Sequence, residues 1–241
     1  MSESCSSTAK TPTRSCLRVE VMILDVSSAQ GVINWPSVYA SGIRHAYVQI
    51  SQGGSRNGAQ RERERAGRLN VIRAHAAGLE VGVYHYAHPR VVAQDAIDEG
   101  VVFAGACEPI LDRLTLPPAL DYEEWGALTP GAPRAREEWI SRWLEESGAP
   151  STLLYCPRSK CSRFPASLAA RMPLWVAWYP WGDAAPPTDH AELLRVWDHH
   201  ASLSPWRHAE LWQCSSSGSV PGIHGRVDVS VDVRQLPEDS R

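Results

Sequence analysis

Two carboxylates near the middle of the chain stand one residue apart, in the stretch PPALDYEEW at 117–125. The apolar residues before them predict a buried strand, and the alternation of strand side chains puts Asp121 and Glu123 on the same face. Their Cα atoms should lie roughly 6.5 Å apart. Carboxylates that share a cavity push their pKa values apart, so that one stays ionised while the other holds a proton near neutral pH. Such a pair suits the hydrolysis of a glycosidic bond, which needs a proton donor and a negative stabiliser or nucleophile.

Two further acids favour a catalytic role for this pair. Asp25 ends the first predicted strand, and Asp228 lies in the last one, which is its neighbour if the sheet closes. Each acid alone is equally consistent with a helix cap, a turn or a site for structural water. Four acids at strand ends are costly to gather unless a reaction uses them. The adjacent Glu124 alternates to the outside, and we expect it to be a solvated loop residue.

Short apolar strands alternate with helical patterns along the chain. Such alternation implies right-handed crossovers and a parallel sheet, in which reacting groups collect at the carboxyl ends of the strands. The apolar stripe of the last helix assigns Trp139 and Trp143 to packing. Helices are predicted at 36–41, 61–77, 92–114 and 134–147, and strands at 17–27, 44–51, 79–89, 117–123, 151–156, 173–179, 209–215 and 225–230.

These elements predict one α/β domain, a single irregular eight-stranded α/β (TIM-like) barrel. Prolines after Tyr179 interrupt the helical signal, so we expect the C-terminal part of the barrel to be helix-poor. The polar first residues predict a flexible N-terminal tail at 1–18, with the barrel occupying 19–241.

The composition argues against several classes of protein. The chain has 241 residues, of which 43% are hydrophobic and 21% charged, as is usual for a globular domain. A net charge of −3 argues against a nucleic-acid partner. We see no apolar run long enough to span a membrane and no apolar centre of a signal peptide. We therefore expect synthesis in the cytoplasm.

Cysteine and tryptophan usage carries two weaker indications. The six cysteines, without a signal peptide, are expected to be free thiols, and their spacing predicts no metal site. We expect Cys107 to be buried in a helix, and Cys156 to lie near Cys161. Ten tryptophans against two phenylalanines hint at stacking on sugar rings.

Five stretches, taken in order, carry a resemblance to a known family: LDVSSAQGVINW, VGVYHYAHP, PPALDYE, LWVAWY and LWQCSSSGSVPGIHGRVDVS. Together they resemble glycoside hydrolase family 25, the muramidase lysozymes, over about 25–232. The resemblance implies an irregular eight-stranded barrel that hydrolyses the β-1,4 bond between N-acetylmuramic acid and N-acetylglucosamine. It implies Glu123 as the general acid, Asp121 as its partner, and Asp25 and Asp228 as further active-site aspartates.

Aromatic residues supply softer matches to the family. Tyr86 and Tyr155 resemble family tyrosines that approach the sugar. Trp178 and Trp212 could line the groove. The alternative for each of the four is a half-buried aromatic residue of the barrel rim.

The chain departs from the family's pattern after the second strand. The family usually reads K-x-T/S-E-G there, whereas this chain has QISQG at 49–53. Two charges are thus replaced by the amides Gln49 and Gln52. Gln52 can still hydrogen-bond a sugar, but an amide does not tune a neighbouring carboxylate by charge.

The sequence therefore predicts a peptidoglycan hydrolase that acts on glycan strands at the bacterial cell wall without a metal or organic cofactor. The alternatives are a non-hydrolytic peptidoglycan- or chitin-binding barrel and a chitinase-like glycosidase. We expect a monomer, unless the protein is carried on a phage or secretion particle. We expect it to reach the cell wall as a phage lysin, on a particle or by non-classical export. Glu123 is expected to be the most shielded of the four acids, and Asp121 to be ionised and engaged by hydrogen-bond donors.

Overall fold

The barrel closes through eight strands that pair in chain order. The computed structural model describes residues 22–126, 129–187, 190–197 and 202–235. The predicted tail at 1–18 and the first predicted barrel residues at 19–21 lie outside this part of the chain. The strands are β1 (Met22–Val26), β2 (His45–Gln52), β3 (Glu80–Tyr86), β4 (Ala119–Asp121), β5 (Leu153–Pro157), β6 (Leu174–Ala177), β7 (Leu211–Gly218) and β8 (Val227–Asp232).

Helices pack around the barrel between the strands. Those in the described residues are α1 (Trp35–Ala40), α2 (Gly58–Ala76), α3 (Ala93–Cys107), α4 (Pro133–Ser147), α5 (Ala166–Ala169) and α6 (His190–Trp197). Trp139 and Trp143 of α4 are buried, as predicted. The C-terminal part is helix-poor, since α5 spans only four residues. Helix α6 was not predicted; its buried Leu193 and Trp197, one helical turn apart, anchor it to the core.

The sheet is parallel from β1 to β7, but β8 runs antiparallel to both of its neighbours. The prediction of a fully parallel sheet is therefore wrong at this strand. The short connection at 219–226 explains the difference, because a parallel pair needs a crossover of about a dozen residues or more. Asp228 consequently lies at the amino end of its strand, where it pairs in register with Asp25 near the carboxyl end of β1.

Alternate side chains of the strands fill the barrel with an apolar layer. Gly82 makes room within it, because a Cβ there would lie 2.5 Å from Cε1 of Tyr47. This layer forms the floor beneath the polar residues that follow along the same strands. Its members are Ile23, Tyr47, Ala119, Leu153, Trp175 and Leu211.

The cysteines of the described residues are buried free thiols. Cys107 is the last residue of α3, and its burial is confirmed. The predicted proximity of Cys156 and Cys161 is also confirmed, with their Sγ atoms 3.8 Å apart. Within the described ranges, no cluster of three or more His, Cys, Asp or Glu side chains is arranged to hold a metal ion. None of the helices described is both long and apolar enough to cross a membrane.

Candidate active site

One cavity of about 410 Å³ opens at the mouth of the barrel where strands β1 to β7 end. Its size falls within the range of roughly 300–1,000 Å³ that is usual for small-ligand sites. No lysine or arginine is among the described residues that line it. The structure brings all four predicted acids to this cavity, together with a fifth: Asp25, Asp121, Glu123, Glu124 and Asp228.

The alternation of side chains that fills the barrel also delivers the acids to its mouth. Asp25 stands two residues after the core residue Ile23, and Asp121 stands two residues after Ala119. Each acid is thus one layer above the apolar floor. Asp228 reaches the same level from the opposite direction, because β8 is antiparallel to β1.

Asp25 and Asp228 form a hydrogen-bonded pair of acids. Burial raises the pKa of Asp25 well above its ordinary value, and the neighbouring charge of Asp228 raises it further. Burial also raises the pKa of Asp228, although its hydrogen bond with Asp25 lowers it. When the pair holds one proton, Asp25 is therefore the carboxyl that carries it and donates to Asp228.

Gln213 holds Asp25 in place from the other side of the pair. Its Nε2 donates to both carboxyl oxygens of Asp25, at 3.0 and 3.1 Å. Its Oε1 accepts hydrogen bonds from the hydroxyl of Tyr155, at 2.7 Å, and from the hydroxyl of Tyr179. Two hydroxyl donors thereby fix which end of the amide faces Asp25.

Asp121 is the acid with the least support from neighbouring donors. It is only 8% exposed, and its Oδ1 is buried without a hydrogen-bond partner among the described residues. Burial raises its pKa well above the ordinary value, and Glu123, Asp25 and Asp228 add to the rise. The expectation that hydrogen-bond donors engage Asp121 is therefore wrong at Oδ1, and burial disfavours the ionised form that was expected.

Glu123 lies just beyond the end of β4 and is half-buried. Burial raises its pKa, and the charge of Asp228 raises it further, whereas a hydrogen bond from the hydroxyl of Tyr86 lowers it. The expectation that Glu123 is the most shielded acid is wrong, because Asp25 and Asp121 are more deeply buried. A protonated carboxyl that still meets the cavity is accessible to a substrate oxygen.

Comparison with known proteins assigns the family. The profile described as Glycosyl hydrolases family 25 matches residues 24–223. The chain belongs to glycoside hydrolase family 25. The resemblance read from the five sequence stretches is thereby confirmed.

Relatives of this family 25 chain include lysozymes and endolysins. Lysozyme M1 of Streptomyces globisporus is 30% identical over 214 residues, which are 85% of this chain and 65% of the relative. The chain thus spans slightly less than two thirds of that relative. A bacterial lysozyme from Streptomyces coelicolor superposes with a TM-score of 0.64 at 25% identity, over 88% of this chain and 91% of the other.

A second solved structure supports the fold alone, since its sequence is more distant. It is the catalytic domain of endolysin ply40 from a bacteriophage of Listeria monocytogenes, with a TM-score of 0.66 at 23% identity. The match covers 91% of this chain and 94% of that domain. The predicted irregular α/β barrel is confirmed.

One wall of the family 25 cavity contains Gln49 and Gln52, the two amides that depart from the family's pattern. Their side chains belong to a chain of polar contacts. Gln49 Nε2 donates to Gln52 Oε1 at 3.4 Å, and Gln52 Nε2 lies 2.8 Å from His88 Nε2. The same His88 nitrogen lies 3.6 Å from Oε1 of Glu124. Glu124 therefore turns into the cavity, so the expectation that it alternates outward is wrong, while its side chain remains 43% exposed. Alternation fails here because β4 has already ended at Asp121.

A buried chain of hydrogen bonds supports this wall from behind. Burial raises the pKa of Glu99 to about 8 and lowers that of His85 to about 3, so both are uncharged at neutral pH. Glu99 then donates to His85 Nε2 at 2.8 Å, and His85 Nδ1 donates to Ser51 Oγ at 2.8 Å. The Glu99 carboxyl also accepts from the backbone N–H of His88, at 3.1 and 3.2 Å.

The predicted aromatic residues divide into two groups. Tyr86 and Tyr155 line the cavity, as does the predicted amide Gln52. Trp212 is fully buried and donates to the backbone oxygen of Trp178 at 2.8 Å, so the expectation that it lines the groove is wrong. Trp178 stacks on Trp212, with ring centroids 5.6 Å apart, and does not line the cavity.

Sequence reasoning missed several cavity residues, and four of them differ in the signal that could have found them. Tyr84 precedes Tyr86 by two positions, so alternation alone could have found it. Trp175, which donates to Ser230 Oγ at 3.0 Å, lies inside the barrel by the same rule. Gln213 follows the same rule, two residues after Leu211, whereas His88 lies beyond the end of β3 and carries no comparable signal. All four line the cavity.

Proposed function

We propose that this chain is a muramidase that hydrolyses the β-1,4 bond between N-acetylmuramic acid and N-acetylglucosamine in peptidoglycan. The observation that carries the proposal is Glu123, a half-exposed carboxyl with a raised pKa at the mouth of a cavity lined by four other acids. A general acid must be protonated near working pH and must also reach the leaving oxygen. Membership of family 25 supports the same reaction.

The first half of the reaction is proton donation. Glu123 donates its proton to the glycosidic oxygen while the bond from that oxygen to the sugar C1 breaks. The carbonyl oxygen of the substrate's own 2-acetamido group then attacks C1 and forms an oxazolinium ion. The buried Oδ1 of Asp121, which lacks a partner among the described residues, is placed to accept the acetamido N–H. In its ionised form Asp121 accepts this hydrogen bond and stabilises the positive charge that develops on the oxazolinium ion.

The second half of the reaction is hydrolysis of the intermediate. Ionised Glu123 accepts a proton from water, whose oxygen attacks C1 and reopens the ring of the oxazolinium ion. Glu123 thereby regains its proton, and the configuration at C1 is retained. Asp228 contributes by its charge, which raises the pKa of Glu123, and Asp25 contributes by its hydrogen bond with Asp228.

The bond that is cut distinguishes the proposal from its alternatives. We expect digestion of purified peptidoglycan, followed by borohydride reduction and mass spectrometry, to yield reduced N-acetylmuramic acid at the new chain ends. Reduced N-acetylglucosamine at the new ends would overturn a muramidase. Cleavage of chitin oligosaccharides at a comparable rate would indicate a chitinase-like enzyme, and binding of peptidoglycan without new ends would indicate a non-hydrolytic barrel.

The polymer substrate places the action of the protein at the bacterial cell wall. Residues of one chain line the cavity, so this chemistry requires no second subunit, and we expect a monomer. Light scattering on the eluting protein tests the monomer directly.

A further inference from the structure

A short basic segment stands next to the acidic cavity. The stretch at 148–182 contains no aspartate or glutamate, but it contains four cations. One of these, Arg171, pairs with Glu137 at 3.5 Å. The other three lie in the turn of 3₁₀ helix Arg158–Arg163, which follows β5 and is called the basic segment below: Arg158, Lys160 and Arg163.

Both ends of the basic segment contact neighbours of cavity residues. Lys160 Nζ and the Arg163 guanidinium lie 5.7 and 5.5 Å from the ring centroid of Trp125, which directly follows the cavity residue Glu124. Arg158 lies 4.4 Å from the ring centroid of Trp178. The next residue, Tyr179, donates to the cavity amide Gln213.

The charges of the basic segment are not neutralised by carboxylates of the described residues. None of its three cations makes an ion pair with a carboxylate in the part of the chain that the structure describes. Like charges held within six residues repel one another, and stacking on tryptophan does not occupy the N–H groups at the edge of a guanidinium. Those donors remain available to an anion.

We propose that the basic segment binds the free carboxylates of the peptide stems that peptidoglycan carries on its muramic acid residues. The inference rests on the proposed function and extends the site beyond the sugar. The cavity itself is lined by five acidic side chains and, among the described residues, by no lysine or arginine, so it offers the anionic part of such a substrate no cationic partner. The cations beside it attract that part while the sugar enters the cavity.

Chain lengths make this geometry possible. A stem of four residues spans at most about 13–14 Å when extended. The Cα atoms of Glu124 and Trp125 are about 3.8 Å apart, and Lys160 and Arg163 lie within 5.7 Å of the Trp125 ring. A stem of this length exceeds each of these separations, which allows it to extend from a sugar in the cavity toward the basic segment.

The test compares two sets of substitutions with the same change in charge. Arg158→Gln/Lys160→Gln/Arg163→Gln removes the basic segment's cations. Arg73→Gln/Arg142→Gln/Arg207→Gln removes three exposed cations away from the cavity mouth. On purified peptidoglycan we expect the first set to raise KM by about ten-fold, with two- to three-fold per charge being usual for an exposed ion pair. We expect kcat to stay within two-fold, and the second set to leave KM unchanged.

Two modified substrates identify the anion. Peptidoglycan whose carboxylates have been amidated with methylamine should give the same KM with the wild type and with the basic-segment variant. Peptidoglycan treated with hydrofluoric acid, which removes phosphate polymers, should preserve the ten-fold difference. A KM difference that persists after amidation, or that disappears after removal of phosphate, would overturn the inference.

Further measurements distinguish three outcomes: misfolding of the variant, failure of the proposed function, and failure of the inference about the basic segment alone. Arg158→Lys/Arg163→Lys keeps the charge and should retain the wild-type KM, while melting curves report on folding. If the wild type forms new reducing ends and the basic-segment variant matches the second set, only the inference fails. If the wild type forms none on any substrate, the proposed function fails, and the inference fails with it.

Discussion

The barrel interior contains two layers of side chains that come from the same strands. The upper layer lies two residues further along each strand than the lower layer. The lower layer is apolar, and its members Ile23, Ala119, Leu153 and Leu211 pack against one another. Two residues further along each of these strands, the upper layer is polar: Asp25, Asp121, Tyr155 and Gln213. The backbone is equivalent in the two layers, so the difference lies entirely in side-chain chemistry.

The two layers have opposite effects on stability. Burial of the lower layer stabilises the fold by removing apolar surface from water. In the upper layer, burial raises the pKa of Asp25 and Asp121 well above their ordinary values. A buried carboxyl that resists ionisation destabilises the folded state at neutral pH. The upper layer therefore carries a cost in stability that the proposed reaction uses.

The largest expected effect is the loss of turnover in Glu123→Gln. The substitution keeps the shape of the side chain but removes the transferable proton, so turnover on peptidoglycan should fall by about 10²–10⁴-fold. The melting temperature should stay close to that of the wild type. Reducing-end release and thermal melting measure the two quantities.

Glu124→Gln is the matched control for this prediction. It changes the same chemical group on the next residue of the same cavity wall, and we expect its turnover to fall by less than about ten-fold. A Glu123→Gln protein that melts normally and turns over at the wild-type rate would contradict the assignment of the acid.

The contrast between the layers also explains what could be predicted from the sequence. Alternation along a strand is a local property, and it correctly placed Asp121 above the apolar floor. The relative burial of Asp121 and Glu123 was predicted in the wrong order, because it depends on where β4 ends. That strand stops at Asp121, so Glu123 belongs to the rim. No local pattern marks such an end.

Long-range pairing was the other source of error. The reversal of β8 and the burial of Trp212 depend on neighbours that are distant in sequence. The stacking of Trp212 between Trp178, Trp181 and Trp197 removes it from the cavity. The excess of tryptophan was interpreted as a sign of stacking on sugar rings, but part of it forms this cluster of core tryptophans.

The second prediction tests the lower layer alone. Leu153→Ala removes buried methyl groups from the floor and should lower the free energy of unfolding by about 2–4 kcal/mol. Turnover per folded molecule should stay within about two-fold, since Tyr155 and the upper layer are unchanged. Chemical denaturation measures the stability. Leu111→Ala, at a leucine that is 61% exposed, is the control and should change stability by less than about 0.5 kcal/mol.

The third prediction tests the upper layer's cost in stability. The raised pKa of Asp121 means that the folded state holds its proton above the ordinary value of 3.8, at which the unfolded chain releases it. The stability that this proton contributes is complete below that value and is lost as the pH rises toward the folded pKa. Asp121→Asn does not titrate, so it should be more stable than the wild type at pH 7, by about 1 kcal/mol or more.

A comparison of two pH values checks this sign. At pH 3.5 the carboxyl is largely protonated in both states, so the advantage of Asp121→Asn should shrink. Turnover of the variant should nevertheless fall by about 10²-fold, because the amide cannot carry the negative charge used in the reaction. If Asp121→Asn is less stable than the wild type at pH 7, the conclusion that the buried carboxyls of the upper layer destabilise the fold is contradicted.

The smallest expected effect concerns Tyr86, a cavity residue next to the proposed general acid Glu123. Its hydroxyl donates to Glu123 and so stabilises the ionised form, which lowers the pKa of Glu123 against the opposing effect of burial. Tyr86→Phe removes that donor, and the pKa of Glu123 should rise further. Because the general acid then keeps its proton to higher pH, the alkaline limb of kcat/KM should move upward by several tenths of a pH unit. Tyr84→Phe, which removes a neighbouring hydroxyl of the same cavity, should leave the limb within about 0.2 units. An alkaline limb that moves downward in Tyr86→Phe would show that the hydroxyl instead stabilises the protonated acid.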